Sequence, residues 1–208
     1  MGQAQAQTRD NRDGDQVVEA GTPPTDRPRR ADARRNEEKL LAAARRVFAA
    51  HGTAASMDAI AKEAGVGVGT LYRHFPKRVD LAEALYRSDV DEIVSAAAEA
   101  LAGADAWEGL STWMEAYVRY SMSKRALVSE LNEAFAKDPG LRLASRERVV
   151  AALSAVLARA QAAGAARTDL DGEDVLQLVL PMCMSATLTE PQAHRLLATV
   201  LDGLRARD

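Results

Sequence analysis

The stretch SMDAIAKEAGVGVGTLYRHF, residues 56–75, decides the fold because it holds two short helical segments separated by a glycine. Ser56 can cap a helix over residues 57–64, and Gly65 ends that helix, since glycine takes a left-handed turn that other residues resist. A second short helix begins at residue 67 or 68 and reaches Phe75. This spacing predicts a helix-turn-helix, the arrangement in which the second helix enters the major groove of DNA.

The glycines raise a second interpretation, because glycine-rich loops also bind the phosphates of nucleotides. Gly65, Gly67 and Gly69 follow a G-x-G-x-G spacing instead of G-x-G-x-x-G, no strand precedes them, and no lysine follows as in a P-loop. A nucleotide-binding loop is therefore not indicated. Gly67 and Gly69 cost helix stability, and we expect their small size to serve a close approach to the DNA backbone.

The second helix has two different faces. Leu71 and Phe75 are four residues apart and are expected to point inward. The other face carries a hydroxyl, a guanidinium, an imidazole and an ammonium group at helical spacing, from Thr70, Arg73, His74 and Lys77. Groups of these kinds bind DNA phosphates and base edges.

The rest of the chain is predicted to be helical, because Ala and Leu dominate its apolar residues, aromatic residues make up only 4%, and no strand pattern occurs. The expected helices cover 36–51, 77–101, 106–122, 125–137, 141–163, 173–187 and 191–206, with a turn at 138–140. The fold class is all-α, with an N-terminal three-helix helix-turn-helix DNA-binding domain over 34–80 and a larger helical domain over 81–208. Residues 1–33 are predicted to be a disordered tail with a basic end.

The formal net charge of −3 conceals parts of opposite sign. Residues 27–88 hold 13 Lys and Arg against 7 Asp and Glu, whereas residues 89–208 hold 12 against 18. A basic N-terminal part indicates contact with a polyanion. The arginine run that includes Arg34 and Arg35 is either a solvated segment that aids solubility or an arm that lies along DNA.

Several function classes lack the residues they need. The single cysteine, Cys183, excludes a disulfide within the chain and a cysteine-based metal site, and it fits an intracellular compartment. The three histidines lie far apart in the sequence, and the HExxH, GxSxG and CxxC spacings are absent. The N-terminus lacks the apolar core of a signal peptide, and the longest apolar stretch, Val175 to Leu188, is too short to span a bilayer. We therefore expect no enzyme, no metal, no cofactor and no membrane partner; a catalytic site built from scattered carboxylates is the weaker alternative.

Residues 39–81 closely resemble the DNA-binding domain of TetR-family bacterial transcriptional regulators. The resemblance rests on LLAAARRVFAAHG at 40–52, on Ser56 with AIAKEAGV at 59–66, and on GTLYRHFPKRVDL at 69–81. It implies phosphate contacts by Ser56, Tyr72 and Arg78, and base contacts by Val68 and Arg73. The full set of expected DNA-binding residues is Arg34, Arg35, Ser56, Val68, Thr70, Tyr72, Arg73, His74, Lys77 and Arg78. The alternative for Tyr72 is simple packing.

The same resemblance implies that the acidic part binds an effector and forms a dimer. Trp113, Tyr117 and Tyr120 stand at i, i+4 and i+7, a stripe that could line a pocket for an apolar or aromatic molecule. Phe135 and Met182 are further candidates, and the alternative for all five is ordinary core packing. The last two helices are expected to form the homodimer interface, unless they only close the core of the monomer.

These observations predict a ligand-responsive, sequence-specific transcriptional regulator in the cytoplasm. We expect a repressor that binds double-stranded DNA as a homodimer at a pseudo-palindromic operator, because one recognition helix reads few base pairs. The alternative is a DNA-binding or scaffold protein without effector control.

Overall fold

The computed structural model describes residues 27–206, with side chains from residue 32 onward. This part of the chain contains nine α-helices and no β-strand, which confirms the all-α prediction. The helices are α1 Arg27–His51, α2 Met57–Ala64, α3 Val68–His74, α4 Arg78–Ala102, α5 Ala106–Ser123, α6 Val128–Lys137, α7 Pro139–Ala162, α8 Gly172–Met184 and α9 Glu190–Leu204. Between residues 27 and 206, no helix combines the length and the apolar character that crossing a membrane requires.

The first helix begins earlier than the sequence predicts. Helix α1 starts at Arg27 instead of residue 36, so residues 27–33 are helical and do not belong to a disordered tail. The segment allows this because Pro28 is the second residue of the helix, where proline is tolerated, and Ala and Arg after it are strong helix formers. The remainder of the predicted tail, residues 1–26, lies outside the described residues.

The Asp-Pro-Gly sequence at 138–140 is the start of a helix and not the turn that we predicted. Asp138 caps α7, since its Oδ1 accepts a hydrogen bond from the Leu141 N–H at 3.2 Å. Pro139 is the first residue of that helix, a position where its missing N–H costs nothing. Helix α8 ends at Met184, three residues earlier than expected, and residues 124–127 form a short 3-10 turn before α6.

The described helices build two large apolar cores that meet along α4, and a small third cluster of Val79, Ala134 and Leu141. The N-terminal core, which we call the head core, contains the expected α1 stripe together with α2, α3 and the start of α4; its members include Leu40, Ala44, Val47, Phe48, Ile60, Leu71, Phe75, Leu81 and Leu85. The second, or body core, joins α4, α5, α7, α8 and α9 and includes Trp113, Met114, Leu153, Leu157, Val175 and Leu197. The expected domain boundary at residues 80 and 81 falls in the first turn of α4, which continues from one core into the other.

Candidate DNA-binding surface and ligand cavity

The turn between α2 and α3 forms as its sequence predicts. Ser56 caps α2, with its Oγ accepting a hydrogen bond from the Ala59 N–H at 3.1 Å. Gly65 has a φ of +68°, the left-handed conformation that a side chain resists, and its N–H donates to the Lys62 carbonyl. Val66 packs against the head core. These interactions fix the direction in which α3 leaves the turn.

Helix α3 is anchored by one face and exposes the other. Leu71 and Phe75 are buried in the head core, as predicted. Val68 and Tyr72 keep 42% and 45% of their surface exposed, although both are large apolar or aromatic residues. We define the recognition face as these two residues with the remaining polar side chains of the segment: Val68, Thr70, Tyr72, Arg73, His74 and Lys77. Arg73 and Lys77 are exposed, whereas Thr70 and His74 are half-buried.

Two further groups of predicted DNA contacts lie outside this face. Ser56 is exposed at the N-terminus of α2, where its hydroxyl already serves as the helix cap. Arg34 and Arg35 are exposed on α1, and Arg34 forms an ion pair with Glu38 at 3.5 Å. Because that pair is exposed and one turn apart on the same helix, it is weak and does not hold Arg34 away from other partners.

Arg78 is the exception among the predicted DNA contacts, because its side chain is occupied within the protein. Its Nε donates to Oε1 of Glu130 on α6 at 2.5 Å, and its Nη1 donates to the carbonyl oxygen of Ala55. The guanidinium also lies 4.9 Å from the centre of the Phe48 ring. Because these three partners hold the guanidinium within the protein, the structure does not favour the predicted phosphate contact by Arg78. It ties the head core to α6 instead.

Packing within the protein does not require glycine at Gly67 or Gly69. A Cβ atom added to Gly69 would meet no atom within 4 Å, and one added to Gly67 would only touch the Thr70 hydroxyl at 3.9 Å. Neither glycine has a positive φ. The absence of a side chain at these positions therefore has no explanation within the described residues.

A cavity of about 410 Å³ lies between α4, α5, α6, α7 and α8. Three of the predicted ligand-binding residues, Tyr117, Tyr120 and Phe135, line it. Trp113 does not, because it is fully packed in the body core, where its Nε1 donates to the Ile93 carbonyl at 3.0 Å. Met182 packs against the body core and is not part of the lining either. The prediction therefore needs correction at these two positions.

Sequence patterns did not identify the polar side chains of the cavity, which are Tyr86, Ser121, Lys124, Asn132, Arg142, Ser145 and Arg146. Ser121 and Lys124 stand four and seven residues after Tyr117, so they continue the predicted stripe, and this spacing is a signal that could have identified them. The arginines are on α7 and reach the cavity only through the packing of distant helices, for which the sequence offers no signal.

An ion network connects the cavity to the head core. Asp89 on α4 accepts from Lys124 and from Nε of Arg45 on α1, the latter at 2.6 Å. Asp89 and Lys124 are both buried. Burial lowers the pKa of Lys124, and the Asp89 carboxylate opposes that shift. The Lys124 ammonium also lies 4.6 Å from the centre of the Tyr120 ring.

Two phenols of the cavity, those of Tyr117 and Tyr120, keep their protons well above neutral pH. Burial raises the pKa of Tyr117 to about 12, and it also raises the pKa of Tyr120. Both hydroxyls are therefore available as hydrogen-bond donors under physiological conditions.

Two family models match this chain. Residues 40–85 match the model described as bacterial regulatory proteins of the tetR family, and residues 105–206 match the C-terminal domain of SbtR-like transcriptional regulators. Among solved structures, a TetR transcriptional regulator from Streptomyces coelicolor is 36% identical, with a TM-score of 0.73 over 83% of this chain and 99% of its own. A TetR transcription regulatory protein from Mycobacterium vanbaalenii is 35% identical, with a TM-score of 0.67 over 86% and 99%.

Curated relatives give a shorter match. HTH-type transcriptional regulators from several Staphylococcus aureus strains are 39% identical over 67 residues, which is 32% of this chain and 36% of theirs. The match thus spans about a third of the length of these curated relatives.

Proposed function

The chain belongs to the TetR family of DNA-binding transcriptional regulators, and we propose that it acts as a homodimeric repressor that a small molecule releases from a pseudo-palindromic operator. Regulators of this family are not enzymes, which confirms the sequence-based expectation. A regulator of chromosomal transcription works where the DNA is, so we propose a cytoplasmic location.

Two features together carry this proposal. One is the exposed recognition face on α3, and the other is a cavity whose lining is linked by ion pairs to the helices of the head core. Val68 and Tyr72 remain exposed on α3 beside Arg73 and Lys77. Val68 can contact a thymine methyl group, and Arg73 can donate two hydrogen bonds to a guanine edge. Lys77 and the Tyr72 hydroxyl can contact phosphates, which sets the register of the helix in the groove.

The proposal of a dimer is supported by apolar side chains that one chain leaves uncovered. Leu178 on α8 is 56% exposed and Leu196 on α9 is 44% exposed, and Met184 at the end of α8 is also exposed. These residues stand on the two helices that the sequence predicts as the interface. A second copy of the chain would cover them and would bring a second recognition helix to the next half-site, about 34–36 Å along the DNA.

Control by a ligand is supported by two polar connections between head and body. The Arg45–Asp89–Lys124 network joins α1 to a residue that lines the cavity. The Arg78–Glu130 pair joins the start of α4 to α6, and the next residue of α6, Leu131, also lines the cavity. A ligand that shifts α6 or Lys124 would act directly on the position of the head. A change of roughly 1–3 kcal/mol in operator affinity is the usual size of such coupling.

The experiment that tests DNA recognition is selection of bound sequences from random DNA with the full chain, followed by fluorescence anisotropy on the selected site. We expect a two-fold symmetric consensus. Arg73→Ala should weaken binding by roughly 1–3 kcal/mol, and the loss should be confined to sequences with the preferred base at one position. Arg119→Ala, which removes an exposed arginine of the body, is the matched control and should bind normally.

The dimer is tested by analytical ultracentrifugation of a variant with Leu178→Glu and Leu196→Glu. We expect this variant to be monomeric and to lose affinity for the full operator while it keeps its helical content. Leu143→Glu is the control, because Leu143 is 62% exposed on α7, outside the proposed interface. If selection returns no consensus and binding depends on salt alone, the alternative of a DNA-binding protein without sequence specificity replaces this proposal.

A further inference from the structure

We propose that the cavity between α4 and α8 binds an organic acid, which is a ligand with an apolar body and one anionic group that pairs with Arg142. The inference rests on the proposed function, since it names the chemical class of the effector. Three features of the cavity support it: its apolar walls, the sign of the charges that line it, and a buried hydroxyl that has no hydrogen bond of normal geometry.

The walls of the cavity favour a ligand with an apolar body. The volume of about 410 Å³ lies in the range of small-molecule sites, which is roughly 300–1,000 Å³. Most of the lining surface is apolar, and the apolar side chains come from α6, α7 and α8, among them Leu131, Phe135, Val149, Leu176 and Leu180. A molecule with the dimensions of two or three aromatic rings fits this space and these surfaces.

The charged residues of the lining are all cationic. They are Lys124, Arg142 and Arg146, and no carboxylate lines the cavity within the described part of the chain. Lys124 is paired with Asp89. Arg146 is paired with Glu173 through two hydrogen bonds, one of them 2.6 Å long. Arg142 has no ion pair among residues 32–206, so one positive charge at this cavity remains without a counter-charge.

A cation in the cavity would therefore meet only like charges, whereas an anion would meet a free guanidinium. Arginine binds carboxylate and sulfonate groups through parallel N–H donors, which is a strong and directional interaction. Because Arg142 is exposed to solvent at the rim, we expect the acidic group at the mouth of the cavity and the apolar body inside.

Ser121 supplies an independent indication that the cavity holds a ligand with polar atoms. Its side chain is only 2% exposed, and its Oγ has no hydrogen bond of normal geometry among the described residues, although it interacts with the neighbouring Tyr117 hydroxyl. Buried hydroxyl groups are nearly always paired, because a missing partner is costly. The neighbouring Tyr117 hydroxyl is protonated at neutral pH. The hydroxyls of Ser121 and Tyr117 can form hydrogen bonds with a polar atom in the body of the ligand.

The proposal is tested with two fluorescent probes that differ by one charged group. 8-Anilinonaphthalene-1-sulfonate is anionic, and N-phenyl-1-naphthylamine has the same ring skeleton without the sulfonate. Both are titrated against the full chain and against Arg142→Gln. We expect the substitution to weaken binding of the sulfonate about tenfold and to change binding of the neutral probe less than twofold. Arg119→Gln should change neither.

A second variant shows whether the probes occupy this cavity. Leu180 is a half-buried lining residue, and Leu180→Trp should fill the space and abolish binding of both probes. The proposal is overturned if Arg142→Gln leaves the affinity for the sulfonate unchanged or weakens both probes equally. It is also overturned if neither probe shows binding that Leu180→Trp removes.

Release of the operator separates this inference from the proposed function. Matched sets of arylalkyl acids, alcohols and amines are tested for their ability to release the selected DNA from the full chain. We expect the acids to release it and Arg142→Gln to require about tenfold more acid. If only the alcohols or the amines release the DNA, the effector is not an organic acid, but control by an effector still holds. If no compound releases the DNA, effector control itself fails, and the dye titration still decides the anion site.

Discussion

Gly69 offers a test of DNA recognition in which stability and function should change in opposite directions. The residue is in α3, has no positive φ, and a Cβ added there would meet nothing within 4 Å. It precedes Tyr72 by three residues and Arg73 by four, so all three share the outward side of the helix. Gly69→Ala therefore adds a methyl group to the surface that we propose contacts DNA, without disturbing the protein.

The structure sets the size of both effects. Replacing glycine by alanine within a helix stabilises the folded state by roughly 0.5–1 kcal/mol, because alanine loses less backbone freedom on folding. For a chain of this size we expect the melting temperature to rise by about 1–4 °C. If the DNA backbone approaches Gly69 closely, the same methyl group should cost about 1–3 kcal/mol per half-site, as other insertions into close-packed contacts do.

The two effects are measured by differential scanning calorimetry and by fluorescence anisotropy on the selected operator. Gly103→Ala is the control, since a Cβ there would make only ordinary contacts, the nearest at 3.6 Å, and should leave DNA binding unchanged. A Gly69→Ala variant that melts higher and binds the operator as tightly as the original chain would refute close approach at this position. A lower melting temperature would show that a Cβ at residue 69 does clash with other atoms of the protein.

The remaining predictions concern single side chains. Lys77→Ala should make the negative slope of log K against log salt less steep, by about 0.9 for each protomer on DNA. Arg78→Gln should leave that slope unchanged, because Arg78 pairs within the protein. It should instead reduce the free energy of unfolding by roughly 1–3 kcal/mol. Gly109→Ala should destabilise the fold in thermal melts, since its Cβ would lie 2.6 Å from the carbonyl oxygen of Ala100. Burial raises the pKa of the Cys183 thiol from 9.0 to about 11, so its contribution to stability is complete below pH 9 and is lost as the pH rises to 11. In urea titrations between pH 9 and pH 11, the free energy of unfolding of the original chain should therefore fall by about 2–3 kcal/mol more than that of Cys183→Ala. If both chains lose the same free energy over this range, burial of the thiol is not the cause.

The helix-turn-helix can be predicted from local sequence signals alone, because each of these signals acts over a few residues. The Ser56 cap, the left-handed Gly65 and the pair Leu71 and Phe75 are each decided by local backbone geometry or helical period. The start of α1 was missed for the opposite reason: a charged segment without apolar period gives no signal for the position of a helix end.

Which side chains are free to act depends on packing between distant helices, and the sequence does not show this. Arg78 was expected to contact DNA, but Glu130, 52 residues further along the chain, occupies it. Trp113 and Tyr117 share one stripe and both are buried, yet only Tyr117 lines the cavity. Arg142 reaches that cavity from a different helix. A helical period shows which residues share a face, but what that face meets depends on how distant helices pack, and no local signal contains that information.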